Sequence, residues 1–442
     1  MVKTNLSDLM KTISNFLKNW QLNSWQYLVL SFFVLIASGT VLLKMPFVQH
    51  QNGLTEIDAL FTATSAVCVT GLTTVSTSGF NLWGQLSILL LIQLGAIGIM
   101  TLTTSFLLIL KGNIGLKQRI SFSRIQENYN LQDTNFILKN ILKITFVVEL
   151  AGMILLSIGF YQQGLPISNA LYQGLFHSIS AFCNAGFSTY DQSLMGTNSL
   201  IKMTVSILII IGGLGYFVIY ELMAFYKQKR KYSLHTKIVL RVSLFLIIAG
   251  TFLIYLFENG QIGWIDSFFQ SVTTRTAGFN SVELNSLSNA TIFLMLLLMF
   301  IGASPGSTGG GIKTTNFFIM VYAIVSVLKG RRNFVVWHRR ISSNYILKAF
   351  GTAIAYFIIL SIGTLILLTD KNLHFKETLF EAVSAMGTVG LSLGITPHLN
   401  LLGKWIIIAL MFIGRLGPAS FAMATLMKQK EIKIKYPDGE IY

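Results

Sequence analysis

The sequence predicts an all-α polytopic membrane protein, in which four repeated units of helix, pore helix with filter loop, and helix are arranged around a central pore. Three observations carry that expectation. Of the 442 residues, 53% are hydrophobic and only 11% charged, with a mean hydropathy of +0.64; a soluble domain carries about 25% charged residues, so a soluble globular protein is excluded. Apolar runs of roughly 20 residues recur from Gln26 to Met427, each long enough to cross a hydrocarbon core about 30 Å thick. One pattern occurs four times, as FTATSAVCVTGLTT (Phe61 to Thr74), FHSISAFCNAGFST (Phe176 to Thr189), FFQSVTTRTAGFNSV (Phe268 to Val282) and FEAVSAMGTVGLSL (Phe380 to Leu393). Each copy has an aromatic start, a Ser/Thr/Ala-rich middle and a glycine near its end: Gly71, Gly186, Gly278 or Gly390. Self-similarity of this kind decides an architecture before any single motif does.

In chain order, residues 1–25 form a lysine-bearing amphipathic segment without a small-residue cleavage site, expected to be cytoplasmic and retained. Unit 1 (26–110) pairs the spans Gln26–Met45 and Leu82–Leu110, and unit 2 (138–226) pairs Leu138–Tyr161 and Leu200–Tyr226. Unit 3 (238–328) pairs Ile238–Phe257 and Thr291–Leu328, unit 4 (345–427) pairs Tyr345–Thr369 and Leu399–Met427, and 428–442 is the tail.

The net charge of +16 follows this division. Of 33 Lys and Arg residues, 25 fall before the first span, around the joints between units (Lys111–Lys143, Lys227–Arg241 and Lys329–Lys348) and in the tail. By the positive-inside rule those segments and both termini are cytoplasmic, and no nucleic-acid partner is needed to explain the excess. The four glycine segments then enter from the opposite face as re-entrant elements. Asp58, Asp266 and Glu377 stand near the starts of three of them, where a helix dipole favours negative charge.

Irregular backbone at membrane depth is tolerated only where it is buried in protein or lines water. A short helix entering from outside turns its partly negative end toward the bilayer centre and favours a cation there. Glycine beyond it lets carbonyl oxygens turn inward to replace a hydration shell. The candidate filter is Val69, Thr70, Gly71; Asn184, Ala185, Gly186; Thr276, Ala277, Gly278; and Thr388, Val389, Gly390, twelve residues with no acidic side chain. That composition favours carbonyl coordination of a monovalent ion over a carboxylate ring. A lone glycine would more often serve close helix packing, but four at matched positions point to a pore.

Three residues before the glycines stand Cys68, Cys183, Arg275 and Gly387. Two cysteines with no CxxC spacing support neither a disulfide framework nor a zinc site. Arg275 is expected behind the filter, against an acidic or carbonyl partner. Unit 3 is one residue shorter between its acid and its glycine, which leaves the pairing upstream of Gly278 open.

Thr291–Leu328 is too long for one plain helix and is broken by 302–311, GASPGSTGGG, a composition that cannot stay helical. At mid-membrane it reads as a movable constriction formed by Gly302, Pro305, Gly306, Gly309, Gly310 and Gly311. GSTGGGIKTT resembles a P-loop loosely, but Ile312 separates Gly311 from Lys313 and no soluble strand precedes it. Lys313 and Arg415 are costly in lipid and are gating candidates, with Arg415 expected to donate to loop carbonyls. Glu149, in the run ITFVVELAGMILL, is expected to turn toward a polar neighbour.

Taken together, the endings TGLTT, AGFST, AGFNS and VGLSL, the run TTRTAGF and GASPGSTGGGIKTT resemble the Trk/Ktr/HKT superfamily of potassium transporters, most of all its bacterial KtrB type. The resemblance covers nearly the whole chain. It implies a potassium filter with one glycine per unit and an intramembrane gating loop in unit 3, both at the residues named above. Some plant relatives carry serine at the first glycine and favour sodium, so Gly71 supports potassium. It further implies a homodimer in the cytoplasmic membrane, each subunit with its own pore, docked on a cytosolic RCK-type ring of KtrA/KtrC-like nucleotide-binding subunits, with sodium as an activator.

No cofactor is expected in this chain beyond the transported ion. The clusters at 227–231 and 329–332 also suit anionic lipid headgroups of the bilayer. The alternative is a sodium- or proton-coupled secondary transporter with broken helices, although such folds usually show two inverted halves and these units share one sense. An enzyme finds little support: six scattered histidines, no HExxH and no paired carboxylates within the spans.

Overall fold

Polar caps and glycine breaks cut the chain into one order of elements that recurs four times. The computed structural model describes residues 24–50, 53–98, 134–228, 232–330 and 334–418. Almost all of the N-terminal segment 1–25, most of the basic stretch 111–143, parts of the clusters at 227–231 and 329–332, and the tail 428–442 lie outside the described residues.

In the first unit α1 (Ser24–Leu43) is followed by the short α2 (Glu56–Cys68) and by α3 (Leu82–Ile97). The second has α4 (Thr134–Gln162), the short α5 (Ile167–Phe182), α6 (Ser199–Leu214) and α7 (Tyr216–Gln228). The third has α8 (Leu234–Phe257), the short α9 (Trp264–Thr273), α10 (Asn289–Phe300) and α11 (Thr314–Leu328). A small antiparallel hairpin, β1 (Val335–Val336) and β2 (Arg339–Arg340), leads to α12 (Ser343–Leu367), the short α13 (Phe375–Gly387) and α14 (Leu401–Leu416).

The starts of these helices are legible as caps. Asn81, Asn198, Ser288 and Asn400 open α3, α6, α10 and α14, each side-chain oxygen accepting the N–H three residues on. Such a cap satisfies one of the four orphan donors of a helix start and is worth about 1 kcal/mol. Asp58, Asp266 and Glu377 lie in the first turns of α2, α9 and α13, and α5 has no acid there.

Among the described residues, Asn140–Gln162, α8 and α12 are long and apolar enough to cross a bilayer. Phe146, Phe245 and Phe357 on these helices are exposed, as a lipid-facing surface requires. The short helices are buried by the others. Phe61, Phe176, Phe269 and Phe380 are wholly inaccessible, which corrects the aromatic start of the third copy from Phe268, only partly buried, to Phe269.

A second correction concerns the later span of unit 2, where the sequence predicted no break; the rest of the later spans of units 1 and 4, 99–110 and 419–427, lies outside the described residues. Helices α6 and α7 bend by 97° at Gly215, so Leu200–Tyr226 is not one straight span. Helices α3 and α14 end in the same way, with φ/ψ of 81/132 at Gly98, 90/143 at Gly215 and 80/138 at Gly417. Only glycine takes such a conformation cheaply. Each hinge closes a Gly-x-x-Gly, and the first glycine of each pair presses on the end of its unit's short helix. A Cβ on Gly95, Gly212 or Gly414 would lie 2.0, 2.0 or 2.1 Å from the carbonyl oxygen of Val67, Phe182 or Met386. Gly95, Gly212 and Gly414 therefore set how closely α3, α6 and α14 seat against α2, α5 and α13.

Polar contacts join successive units. Lys404 on α14 pairs with Asp58 on α2 at 2.7 Å, and Lys202 on α6 pairs with Asp266 on α9 at 2.6 Å. Tyr172 on α5 donates to Gln85 on α3. These contacts run from unit 4 to 1, from 1 to 2 and from 2 to 3.

Candidate functional site

Beyond each short helix the backbone turns left-handed twice, at alternate residues. The pairs are Val69 and Gly71 (φ 55 and 98), Asn184 and Gly186 (59 and 70), Thr276 and Gly278 (72 and 79), and Thr388 and Gly390 (50 and 94). In an ordinary strand successive peptides face opposite sides; reversing the hand at every second residue brings their carbonyls toward one side. A non-glycine residue held in this region is strained, and such strain concentrates at functional sites.

The four loops meet in a closed ring. A Cβ on Gly71 would lie 2.5 Å from Ala185 O, one on Gly186 2.6 Å from Ala277 O, one on Gly278 2.5 Å from Val389 O, and one on Gly390 2.1 Å from Thr70 O. Each glycine thus abuts the carbonyl preceding the glycine of the next unit. Eight of the twelve residues named from the sequence make these contacts (Thr70, Gly71, Ala185, Gly186, Ala277, Gly278, Val389 and Gly390), and Val69, Asn184, Thr276 and Thr388 directly precede them in the chain.

The ring also settles the pairing within unit 3. The carbonyls of Ser65, Ser180, Thr273 and Ser384 accept from the N–H groups of Thr70, Ala185, Ala277 and Val389 at 2.8 to 3.0 Å. Thr273 is therefore the equivalent of the three serines, and the missing residue falls between it and Arg275. Arg275 keeps its expected equivalence with Cys68, Cys183 and Gly387, directly before the first left-handed residue. Its guanidinium turns away to Ser243 on α8, with Nη1 3.4 Å from the carbonyl and Nη2 3.2 Å from the hydroxyl.

One mouth of the ring opens into a cavity of about 380 Å³ lined by all four glycines and by Thr73–Thr77, Tyr190, Asp191, Asn280 and Ser392. Asp191 is the one acidic group among its lining residues, which include no Lys, Arg or His. The hydroxyls of Ser76 and Ser78 donate to its carboxylate and hold it below the ordinary carboxylate range.

The other side of the ring meets loop 302–311. Cβ atoms on Gly309 and Gly310 would fall 2.0 Å from Thr276 Oγ1 and 2.2 Å from Thr388 Oγ1, so only glycines let the loop press against the ring. Its backbone is tied to the hinge of unit 2: Ser304 N–H donates to Gly213 O at 3.1 Å, Thr308 N–H to Gly212 O at 3.3 Å, and Tyr216 N–H to Gly306 O at 3.1 Å. Gly302 packs on Gly310 O and Gly311, and Pro305 O lies against Gly215. Lys313 Nζ reaches back to Gly309 O at 2.8 Å. From the opposite side Arg415 donates through Nη1 to Thr308 O and through Nη2 to Gly95 O, the latter at 2.8 Å.

Other sequence candidates have more ordinary settings. Gln93 Nε2 donates to Glu149 Oε2 at 3.1 Å, and the Cys183 thiol lies 3.3 Å from Gln93 Oε1. Cys68 and Cys183 are buried free thiols, and among the described residues no His, Cys, Asp and Glu group is arranged to hold a metal. His177 bonds Gln173 O and Ser188 Oγ inside the protein. Sequence reasoning missed the hinges, although Gly-x-x-Gly recurs 14 residues after each of three Asn caps. It also missed Asp191 and the buried hydroxyls beneath the loops.

A family model described as a cation transport protein, TrkH, matches residues 19–434. The chain belongs to this family. Its members include the Ktr system potassium uptake protein B of Bacillus subtilis, 37% identical over 94% of this chain and 96% of the relative. The potassium/sodium uptake protein NtpJ of Enterococcus hirae is 36% identical over 95% of this chain and 97% of its own length. In fold, the chain is similar to the crystal structure of the potassium transporter TrkH from Vibrio parahaemolyticus, with a TM-score of 0.71 and 19% identity over 90% of this chain and 83% of that one. The family is one of membrane transporters.

Proposed function

We propose that this chain mediates potassium uptake across the cytoplasmic membrane, through a pore whose filter is the ring of Gly71, Gly186, Gly278 and Gly390. The observation that carries the reading is the closed cycle of glycine-to-carbonyl contacts around four short helices. Backbone oxygens gathered in a ring can replace water around a monovalent cation. The names of the Bacillus and Enterococcus relatives support potassium, with sodium as a second ion.

On this reading the vestibule at Asp191 is extracellular, in keeping with the lysine-poor face of the chain. Loop 302–311 is the gate beneath the filter, held by Lys313 and Arg415. The naming of the Bacillus relative as part of a system supports further subunits, and we assign to the cytosolic face a nucleotide-binding RCK-type ring that docks on a homodimer of this chain. Sodium acts as an activator.

The test is separate measurement of potassium and sodium flux in liposomes, for wild type and Gly71→Ser. Fast potassium-selective flux whose selectivity is lost in the variant is the expected result. Sodium-obligate flux of equal selectivity in both proteins would overturn the reading in favour of a coupled carrier with its site elsewhere.

A further inference from the structure

A buried hydroxyl on the last turns of each short helix reaches forward to the glycine loop. Ser65 Oγ accepts the Gly71 N–H at 3.0 Å, and Ser384 Oγ accepts the Gly390 N–H at 3.0 Å. Ser180 Oγ instead donates to Phe187 O at 2.8 Å, and Thr273 Oγ1 to Phe279 O at 2.8 Å. All four side chains are wholly inaccessible, and their backbone carbonyls make them equivalent residues, as described above.

The two bonding modes have different consequences. In a trans peptide the N–H and C=O point in opposite directions. Drawing the Gly71 N–H back onto Ser65 therefore turns the Thr70 carbonyl forward, and Ser384 does the same to the Val389 carbonyl through Gly390. Thr70 O and Val389 O are the atoms that close the ring onto Gly390 and Gly278. In units 2 and 3 the hydroxyl holds back a carbonyl beyond the glycine. The ring, alike in backbone four times over, is thus braced before the glycine in units 1 and 4 and after it in units 2 and 3.

We propose that Ser65 and Ser384 are specificity-determining positioning residues, which fix the Thr70–Gly71 and Val389–Gly390 peptides with their oxygens toward the transported cation. This rests on the reading of the ring as a cation filter. Without the hydroxyl, the glycine N–H has lost its acceptor in a buried space, and the peptide rotates between its two orientations. One of these presents a donor to the ion and repels it. The strength of one neutral hydrogen bond corresponds to about three- to tenfold in that equilibrium.

The experiment compares wild type, Ser65→Ala, Ser384→Ala, Ser180→Ala and Ser65→Thr in two readouts: the potassium-to-sodium flux ratio in liposomes, and the potassium dependence of thermal stabilisation of the purified protein. Ser65→Ala and Ser384→Ala are expected to lower the flux ratio about three- to tenfold and to raise the half-stabilising potassium concentration by a like factor. Ser180→Ala changes both less, because its bond lies beyond the ring. Ser65→Thr keeps a hydroxyl that can accept the Gly71 N–H and restores wild-type values.

Wild-type ratio and potassium dependence in both Ala variants would overturn the proposal. So would a Ser65→Thr protein as impaired as Ser65→Ala, which would make the site one of packing alone. If Ser65→Ala fails to insert, Ser384→Ala and Ser65→Thr decide by the same criteria. Wild-type protein that does not discriminate between the ions overturns the filter reading itself, a separate outcome.

Discussion

Replacing Arg415 by alanine removes both of its bonds at once, to Thr308 O in the interrupting loop and to Gly95 O beside the first hinge. A hydrogen bond from a charged donor contributes about 1.5–3 kcal/mol when buried. Only the bond to Thr308 O ties the loop itself; water reaching the freed carbonyl recovers part of its strength, so the low end is appropriate, and it contributes about 1.5 kcal/mol to the closed arrangement. That is a factor of about 10 in the ratio of closed to open: a loop closed about 99% of the time would be closed about 90% of the time. The remaining ties, from Ser304 and Thr308 to the second hinge and from Lys313 within the loop, are untouched. The expected result is potassium flux in liposomes about ten times higher per inserted molecule. Arg415→Lys, which keeps the charge but not the two-pronged donor, falls between. Unchanged or lower flux in correctly inserted Arg415→Ala protein would refute the reasoning, because the guanidinium would then not hold the loop shut.

Serine at the ring glycines should damage potassium selectivity in the order of the closest approach, Gly390→Ser (2.1 Å) more than Gly186→Ser (2.6 Å); equal ratios from paired potassium and sodium flux would contradict this. Asp191→Asn should raise the half-saturating potassium concentration with maximal flux unchanged, since it removes the one acidic group among the vestibule's lining residues, an attraction worth a fraction of a kcal/mol in water; the rise is about twofold, and a titration of flux against potassium at low ionic strength checks it. The Asp191 carboxyl is held below its ordinary value, so its charge and its links to Ser76 and Ser78 persist through pH 5–8. They are lost only as pH falls below the ordinary carboxylate value of about 4. The half-saturating concentration is expected to be flat over pH 5–8, and a rise between pH 6 and 5 would contradict the assignment. Lys404→Met should lower the thermal unfolding temperature by leaving Asp58 without its partner, a loss of about 1–3 kcal/mol for a mostly buried pair; an unchanged melting curve in detergent would show that the pair contributes nothing.

Much of this was legible in the sequence because the repeat placed four glycines, four short helices and the loop 302–311 in register. The caps Asn81, Asn198 and Asn400 carry a signal in their residue type but were not singled out from the sequence. What escaped was of two kinds. The hinge at Gly215 sits inside an unbroken apolar run, and hydropathy cannot tell a straight span from one bent by 97°; only the φ of a glycine does. The slip in unit 3 moved the buried aromatic to Phe269 and the buried hydroxyl to Thr273, and no count of residues shows on which side of Arg275 the missing one falls. Hydrogen-bond direction is still less visible: Ser65 accepts where Ser180 donates, though the two sit in near-identical strings.

The seam between the last unit and the first has a consequence for the birth of the molecule. Lys404 meets Asp58 across 346 residues of chain, and Thr70 finds its neighbour at Gly390. A ribosome that has completed three units has therefore inserted most of the mass of the protein and none of its closed ring. Abandoned fragments from stalled or truncated messages lack the fourth wall, and with it the Arg415 latch. On the reading proposed above, a chain cut short before its fourth unit has neither the closed ring nor the Arg415 contact to loop 302–311.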